Sequence, residues 1–246
     1  MNRGKVVALV QARIDSTRMV EKVRLPLLGQ SILRWVVTRV GMSHLVDEVV
    51  VVSPDDRFRP LINDCLRPTD ERMFIDVPKL SDGRNDVLAR MAAAASARQA
   101  DTVVRICADR PLVDPELIDR TIACYSPRPG GYALNYSHDY NYVRGFGAEV
   151  LSNDTLQKLN SLAGTDDDDR HHVTLAAYDR LMFVKGTVGS NSPYSCPSWD
   201  LYKSKRYDVD DVEGYEFVKS RVEQFGVGPE DFEDVVQKPG FAFMEV

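Results

Sequence analysis

What this chain lacks narrows its function first. There is no glycine between Gly4 and Gly29, and neither GxxxxGK[ST] nor GxGxxG occurs anywhere. A P-loop ATPase and a dinucleotide dehydrogenase both need such glycines so that backbone N–H groups can reach phosphates. Cysteine is sparse: Cys65, Cys107, Cys124 and Cys196 are scattered and form no CxxC unit. That argues against a zinc or redox motif and points to a reducing compartment, so the cytoplasm is the expected location. No apolar run approaches the roughly 20 residues that cross a bilayer, and Val6–Val10 is too short for the apolar core of a signal peptide. Excess positive charge is missing too. The net charge is -6 and the pI about 5.3, which disfavours a general nucleic-acid or anionic-membrane surface.

What is present is an ordinary globular composition, 43% hydrophobic and 28% charged over 246 residues. One domain with an appended lobe fits that length. The continuous apolar run Val6–Val10 predicts a strand buried on both faces. Ser31 is a helix cap before Ile32, Leu33, Val36, Val37 and Val40, which keep a 3.6-residue period up to Gly41. Val49–Val52, Met73–Ile75 and Thr102–Ile106 read as further strands. Helices are expected from Pro60 to about Leu66, from Val87 to Gln99, and after Asp114-Pro115-Glu116. Regular alternation of strand and helix predicts an α/β fold, a mainly parallel sheet with helices on both faces. In such sheets the strand order usually reverses beside the first strand. The loops after the first and fourth strands would then share one crevice.

Beyond Ser126-Pro127-Arg128-Pro129-Gly130-Gly131 the pattern changes. Tyr132–Tyr136 and Tyr142–Leu151 read as strands, and Thr155–Leu162 and Arg170–Tyr178 as helices. Asp166–Asp169 reads as a solvated loop. Arg206–Val209 reads as a short strand, Val212–Phe225 as a helix burying Val212, Tyr215, Val218 and Val222, and Pro229–Val236 as a last helix. We expect residues 126–200 to form a smaller α+β lobe and the chain then to return to the first sheet.

Four stretches carry chemistry. Gln11–Lys22 places Arg13, Arg18, Lys22, Ser16 and Thr17 directly after the first strand. With no glycine there, phosphate binding would rest on side chains: a guanidinium for paired oxygens, an ammonium as a movable charge. Asp109, just past the fourth strand, is either a turn former before a proline or a magnesium ligand. Asp208 and Asp210 share a strand face, so one of them could add a second carboxylate while Asp211 caps the next helix. His171 and His172 point about 100° apart on a helix. They cannot form the usual i, i+4 metal pair, which leaves a polar contact or an ordinary histidine.

In order, the chain reads QARxxSTRxxxK, GxxDVL, xDxPLxDPExID, RGxxxEV, HHVT and VDxxExYE. Together these resemble the cytidylyltransferases of CMP-Kdo and acylneuraminate synthesis, and most of all their SpsF-type spore-coat polysaccharide branch. The resemblance implies a Rossmann-like nucleotide-diphospho-sugar transferase fold and a homodimer formed through the smaller lobe. It implies magnesium-dependent transfer of CMP from CTP to an anionic sugar or phosphonate-like acid. Residues 1–246 would be one nucleotidyltransferase domain: a nucleotide-binding core (1–125), an acceptor and dimerisation lobe (126–200) and a return to the core (201–246). By position, Ala12, Arg13, Ser16, Lys22, Gly83, Asn85, Asp86 and Asp109 would hold the nucleotide. Arg13, Lys22 and Asp109 would be catalytic, Asp109 and Asp210 would hold magnesium, and Arg144, Glu149 and His172 would face the acceptor.

The chain departs from its relatives at several positions. Asp15, Val20 and Glu21 stand in a loop that usually reads GSTRLPGK. Arg110 stands in a GDCP motif, and Gly147 stands at the acid of RGLDVEV. Two alternatives therefore accompany the leading reading: a nucleotide-binding relative without turnover, and a glycosyltransferase using a sugar nucleotide.

Overall fold

The structure, a computed structural model, describes residues 4–13, 16, 18–54, 56, 59–65, 73–76, 86–125, 131–134, 145–164, 167–175, 184–187 and 207–231. Strand β1 (Val6–Gln11) is an interior strand of its main sheet. Val6, Val7, Ala8, Leu9 and Val10 are fully buried, because the run is covered on both faces. A small hairpin follows, β2 (Pro26–Leu27) and β3 (Gln30–Ser31), and then α1 (Ile32–Gly41). As expected, Ser31 caps α1, accepting from Arg34 N at 3.1 Å. Next come β4 (Glu48–Val52), α2 (Arg59–Cys65), β5 (Met73–Asp76), α3 (Val87–Ala97) and β6 (Thr102–Cys107). Helix α4 (Pro115–Cys124) starts at its predicted Asp114 cap, whose side chain accepts from Leu117 N at 2.8 Å. The chain continues through β7 (Gly131–Leu134), β8 (Glu149–Ser152), α5 (Asn153–Leu162), α6 (Asp167–His172), β9 (Val184–Thr187) and α7 (Val212–Phe225).

Among the described residues seven strands form one sheet in the order β5-β4-β1-β6-β8-β7-β9. Pairing is parallel from β5 to β6 and between β7 and β9, while β8 runs antiparallel to both β6 and β7. The fold is thus the expected α/β arrangement, and β7, β8 and β9 extend the first sheet rather than building a second one. Alternate residues of β1 serve two cores. Val6, Ala8 and Val10 pack with α1 and α4 residues such as Val36 and Ile118. Val7 and Leu9 pack with α3 and α5 residues such as Met91 and Leu156. A third core joins Trp35 of α1 to Phe146, Tyr207 and Val218. Among the described residues no helix is long and apolar enough to cross a membrane.

Several expectations are corrected. The strand expected over Tyr142–Leu151 is only Glu149–Ser152 within the described residues. Gly145 turns the chain at φ +103°, and a Cβ there would lie 2.7 Å from Tyr207 O and 2.8 Å from Asp208 N. Asp167–Asp169 is not a solvated loop. It opens α6, which packs on α3 and leaves Asp169 buried. That helix is interrupted at Val173, whose φ of 64° is left-handed; Leu175 is helical again, and the rest of the helix expected to Tyr178 lies outside the described residues. Tyr207–Val209 is not a strand, because Val209 N donates to Asp109 O at 2.7 Å instead of joining a ladder. Val212 is 62% exposed, whereas Tyr215, Val218 and Val222 are buried. At 229–231 there is a turn held by Gly228 N on Asp231 Oδ2 at 2.6 Å. The remainder of the helix expected there lies outside the described residues.

Candidate active site

The chain leaves β1, fills β4 and β5 on one side, and returns to β6 on the other. The strand order therefore reverses between β1 and β6, and a crevice opens at their carboxyl ends. The floor is tightly fastened: Ala108 N donates to Gln11 O at 3.0 Å and Ala12 N to Val52 O at 3.1 Å. Ala12 is expected at the nucleotide; its N–H is committed to the sheet. The segment 207–211 is pinned over the β6 loop by Val209 N on Asp109 O and by the close approach of Gly145 to Tyr207. Asp211 caps α7 as predicted, accepting from Gly214 N at 2.8 Å.

These fastenings bring three residues far apart in sequence to one point. Lys22 Nζ donates to Asp109 Oδ2 at 2.8 Å and to Asp210 Oδ1 at 3.0 Å. Arg18 Nη1 meets the other oxygen of Asp210 at 2.6 Å. Lys22 is buried. Burial alone would disfavour its charge, but Asp109 and Asp210 outweigh it, and the pKa is held above the ordinary lysine value. Lys22 opens a single 3-10 turn, Lys22–Arg24, preceded by Glu21 in the left-handed region at φ 53°. The relatives' motif has glycine at that place. Here Glu21 takes the same conformation with its carboxylate 3.2 Å from Arg24 Nη1. Val20 beside it is 72% exposed.

The other side of β6 is held by a buried network. Arg105 Nη1 donates to Glu149 Oε2 at 2.9 Å, and Arg105 Nη2 reaches Gln11 Oε1 at 3.3 Å. Thr174 Oγ1 donates to the same Glu149 oxygen at 2.5 Å. Glu149, expected to face the acceptor, is buried in this network across the β6–β8 pair. Asp86, expected along the nucleotide, caps α3 through Ala89 N at 2.8 Å and accepts from Arg170 Nη1 at 3.0 Å. His172 is exposed, with its ring edge-on to His171 at 5.3 Å. Partial burial, together with Arg13, His172, Arg105 and Arg90, holds the His171 pKa below the usual histidine value. Arg13 is therefore close enough to bias His171 toward its neutral form.

Ser16 is buried near the start of this loop. Gly83, Asn85, Arg144 and Asp15 lie outside the described residues. Sequence reasoning gave Arg18 little weight and assigned no role to Arg105. Arg105 sits inside an apolar strand, and its partners Glu149 and Gln11, 44 and 94 residues away, account for it. Arg110 Nη1 donates to Gly147 O at 2.8 Å, so the cation of the β6 loop meets the position where the relatives' acid is missing.

Two carboxylates sharing one cation at hydrogen-bond distance is a donor set that also suits magnesium. That ion takes one or two protein carboxylates and completes its shell with phosphate and water. No larger cluster of metal-ligating side chains occurs among the described residues.

A basic loop on one side of the switch point and two convergent acids on the other suit the phosphates of a nucleotide and a metal ion. Comparison with known proteins gives the class. The profile described as "Cytidylyltransferase" matches residues 7–225, and the chain belongs to that family. It is 26% identical over 234 residues to the spore coat polysaccharide biosynthesis protein SpsF of Bacillus subtilis (strain 168), covering 92% of this chain and 89% of that protein. It is 29% identical over 119 residues to a 3-deoxy-manno-octulosonate cytidylyltransferase of Geobacter metallireducens, covering 48% of this chain and 44% of that one. The solved structure of a cytidylyltransferase from Leptospira borgpetersenii serovar Hardjo-bovis superposes with a TM-score of 0.78 at 22% identity, covering 98% of both chains.

Proposed function

We propose that this chain is a magnesium-dependent cytidylyltransferase that moves CMP from CTP to an anionic sugar acid with release of pyrophosphate. The observation that carries the reading is Lys22 Nζ held between Asp109 and Asp210. The order of work follows from the walls of the crevice. Arg13, Ser16 and Lys22, on the loop after β1, take the β- and γ-phosphates and neutralise the departing pyrophosphate. The acceptor oxygen bonds to the α-phosphorus as the bond to the bridging oxygen breaks, and the acceptor hydroxyl loses its proton. In such transfers the protein mostly positions reactants and stabilises charge. Asp109 and Asp210 are the residues that would hold magnesium, which would supply positive charge beside the α-phosphate.

The likeness to SpsF supports a place in making a polysaccharide precursor. A cytoplasmic homodimer is part of the same reading, and sedimentation of the purified protein tests its size. Thermal unfolding with CTP, ATP, GTP or UTP, with and without Mg2+, tests the nucleotide. A bound ligand raises stability by mass action. We expect the largest rise with CTP and Mg2+ together. Equal shifts with all four nucleotides would refute the choice of base.

A further inference from the structure

We propose that His171 is a further substrate-binding residue, which joins Arg13 in holding a negatively charged oxygen of the departing pyrophosphate or of the acceptor's acid group. This deepens the cytidylyltransferase reading and rests on it. The run Arg170-His171-His172-Val173-Thr174 is anchored on both sides of its two histidines. On one side Arg170 Nε donates to Gly164 O at 2.9 Å and Nη2 to Asn160 O at 3.0 Å, while Nη1 reaches Asn160 Oδ1 at 2.6 Å and Asp86 Oδ2 at 3.0 Å. On the other side Thr174 Oγ1 donates to Glu149 Oε2 at 2.5 Å. Val173 is buried and held at φ 64°, a conformation that β-branched residues rarely adopt. Such strain persists only where surrounding contacts over-determine it, and it gathers at functional sites. The two imidazoles touch each other edge-on and, among the described residues, make no hydrogen bond or ion pair. The segment is thus fastened through its other residues and presents its histidines.

A chain of contacts sets this segment at the crevice. Thr174 is bonded to Glu149, Glu149 to Arg105, and Arg105 to the side chain of Gln11, which ends β1 two residues before Arg13. His171 is the half-buried member of the pair, whereas His172 is exposed. The surrounding elements bring charges of both signs. Arg13 comes from the loop after β1, Arg90 and the cap Asp86 from α3, Arg105 from β6 and Glu149 from β8. Helix α6 itself adds Asp168 and the buried Asp169. Arg105 and Glu149 pair with each other, and Asp86 pairs with Arg170. Partial burial first, then Arg13, His172, Arg105 and Arg90, disfavours the imidazolium of His171. An oxyanion between Arg13 and His171 reverses that balance. It pairs with the guanidinium, accepts from the imidazole N–H, and favours a proton on the ring. Histidine is the side chain whose ordinary charge change falls between about pH 5 and 8, so binding there is strengthened by acid.

The chain has four histidines, so their ring signals can be followed one by one in NMR titrations of the full chain. The titration is run in chloride and, at the same ionic strength, with pyrophosphate or with acetate; His171→Gln identifies the signal. We expect pyrophosphate or acetate to move the His171 titration upward by at least about one pH unit, the scale of an opposite charge at close range. His44, in the loop between α1 and β4 at the amino end of the sheet, should titrate unchanged. A shift with pyrophosphate assigns His171 to the leaving group, and a shift with acetate assigns it to the acceptor. The effective probe should bind more tightly as the pH falls from about 8 to about 6, and His171→Gln should lose that gain. A His171 titration unmoved by both probes, or a shift of equal size at His44, overturns the proposal. Absence of any thermal shift with CTP and Mg2+ counts against the parent reading instead, because the probe titrations contain no nucleotide.

Discussion

Lys22 satisfies two carboxylates at once, so replacing it alters both the charge and the ligand set of the crevice. Loss of one electrostatic donor in such a site typically costs about 100-fold or more in turnover. We expect Lys22→Ala and Asp109→Ala each to fall by at least about that factor, measured as pyrophosphate release. The two lesions should differ in metal binding. In the free protein the ammonium occupies the space between Asp109 Oδ2 and Asp210 Oδ1. Lys22→Met should therefore bind Mn2+ more tightly than the unsubstituted protein when no nucleotide is present, and Asp109→Ala more weakly. Calorimetric titration with Mn2+ checks both, and equal affinities would contradict the ammonium's position. Residue identity made this trio legible in advance, since an acid just past a strand, an acid cluster before a helix and a lysine in a basic loop stand out in the sequence. Glu149 and Asp86 were less legible, because their partners Arg105 and Arg170 come from other elements. A motif shows that an acid is present but not what it touches.

Elements were read best where local physics decides them. Ser31, Asp114 and Asp211 are caps in the sequence pattern and in the structure, each accepting from a backbone N–H three residues on. Removing such a cap costs about 1 kcal/mol. Ser31→Ala should lower stability by about that much in a denaturant titration, with no effect on nucleotide binding. Tyr207–Val209 was read wrongly as strand because its path is set by tertiary contacts. Its backbone bonds to Asp109 and packs against Gly145. Gly145→Ala is therefore expected to be far costlier than an ordinary surface change. The new Cβ would meet the Tyr207 backbone, and φ +103° is unfavourable for any L side chain. The displaced strap would carry Asp210 away from Lys22. We expect reduced stability together with loss of activity. Wild-type turnover in a folded Gly145→Ala protein would show that the strap's position is unimportant.

At the scale of the whole molecule, the alternating pattern predicted the reversal of strand order beside β1, and the structure has it between β1 and β6. The addition of β7, β8 and β9 to the same sheet was not legible, since those pairings join segments far apart in sequence. One global property follows from the surroundings of His171. Partial burial, the guanidinium groups of Arg13, Arg105 and Arg90, and the neighbouring His172 keep the His171 pKa below the histidine value of 6.5. A depressed pKa stabilises the fold above the unfolded value, and that contribution is lost as pH falls through the folded one. Stability should therefore decline below about pH 6.5, and His171→Gln should flatten part of that decline in unfolding curves taken across the window. A decline of identical size in His171→Gln would exclude this source.

The central claim is tested most directly by pyrophosphate release from CTP. The protein would be supplied with Mg2+ and a panel of sugar acids and phosphonates beside their uncharged esters. The account predicts release with at least one anionic acceptor, none with its ester, and loss of that release in Asp109→Ala. Tight CTP binding without release from any acceptor, or release unaffected by Asp109→Ala, would contradict it.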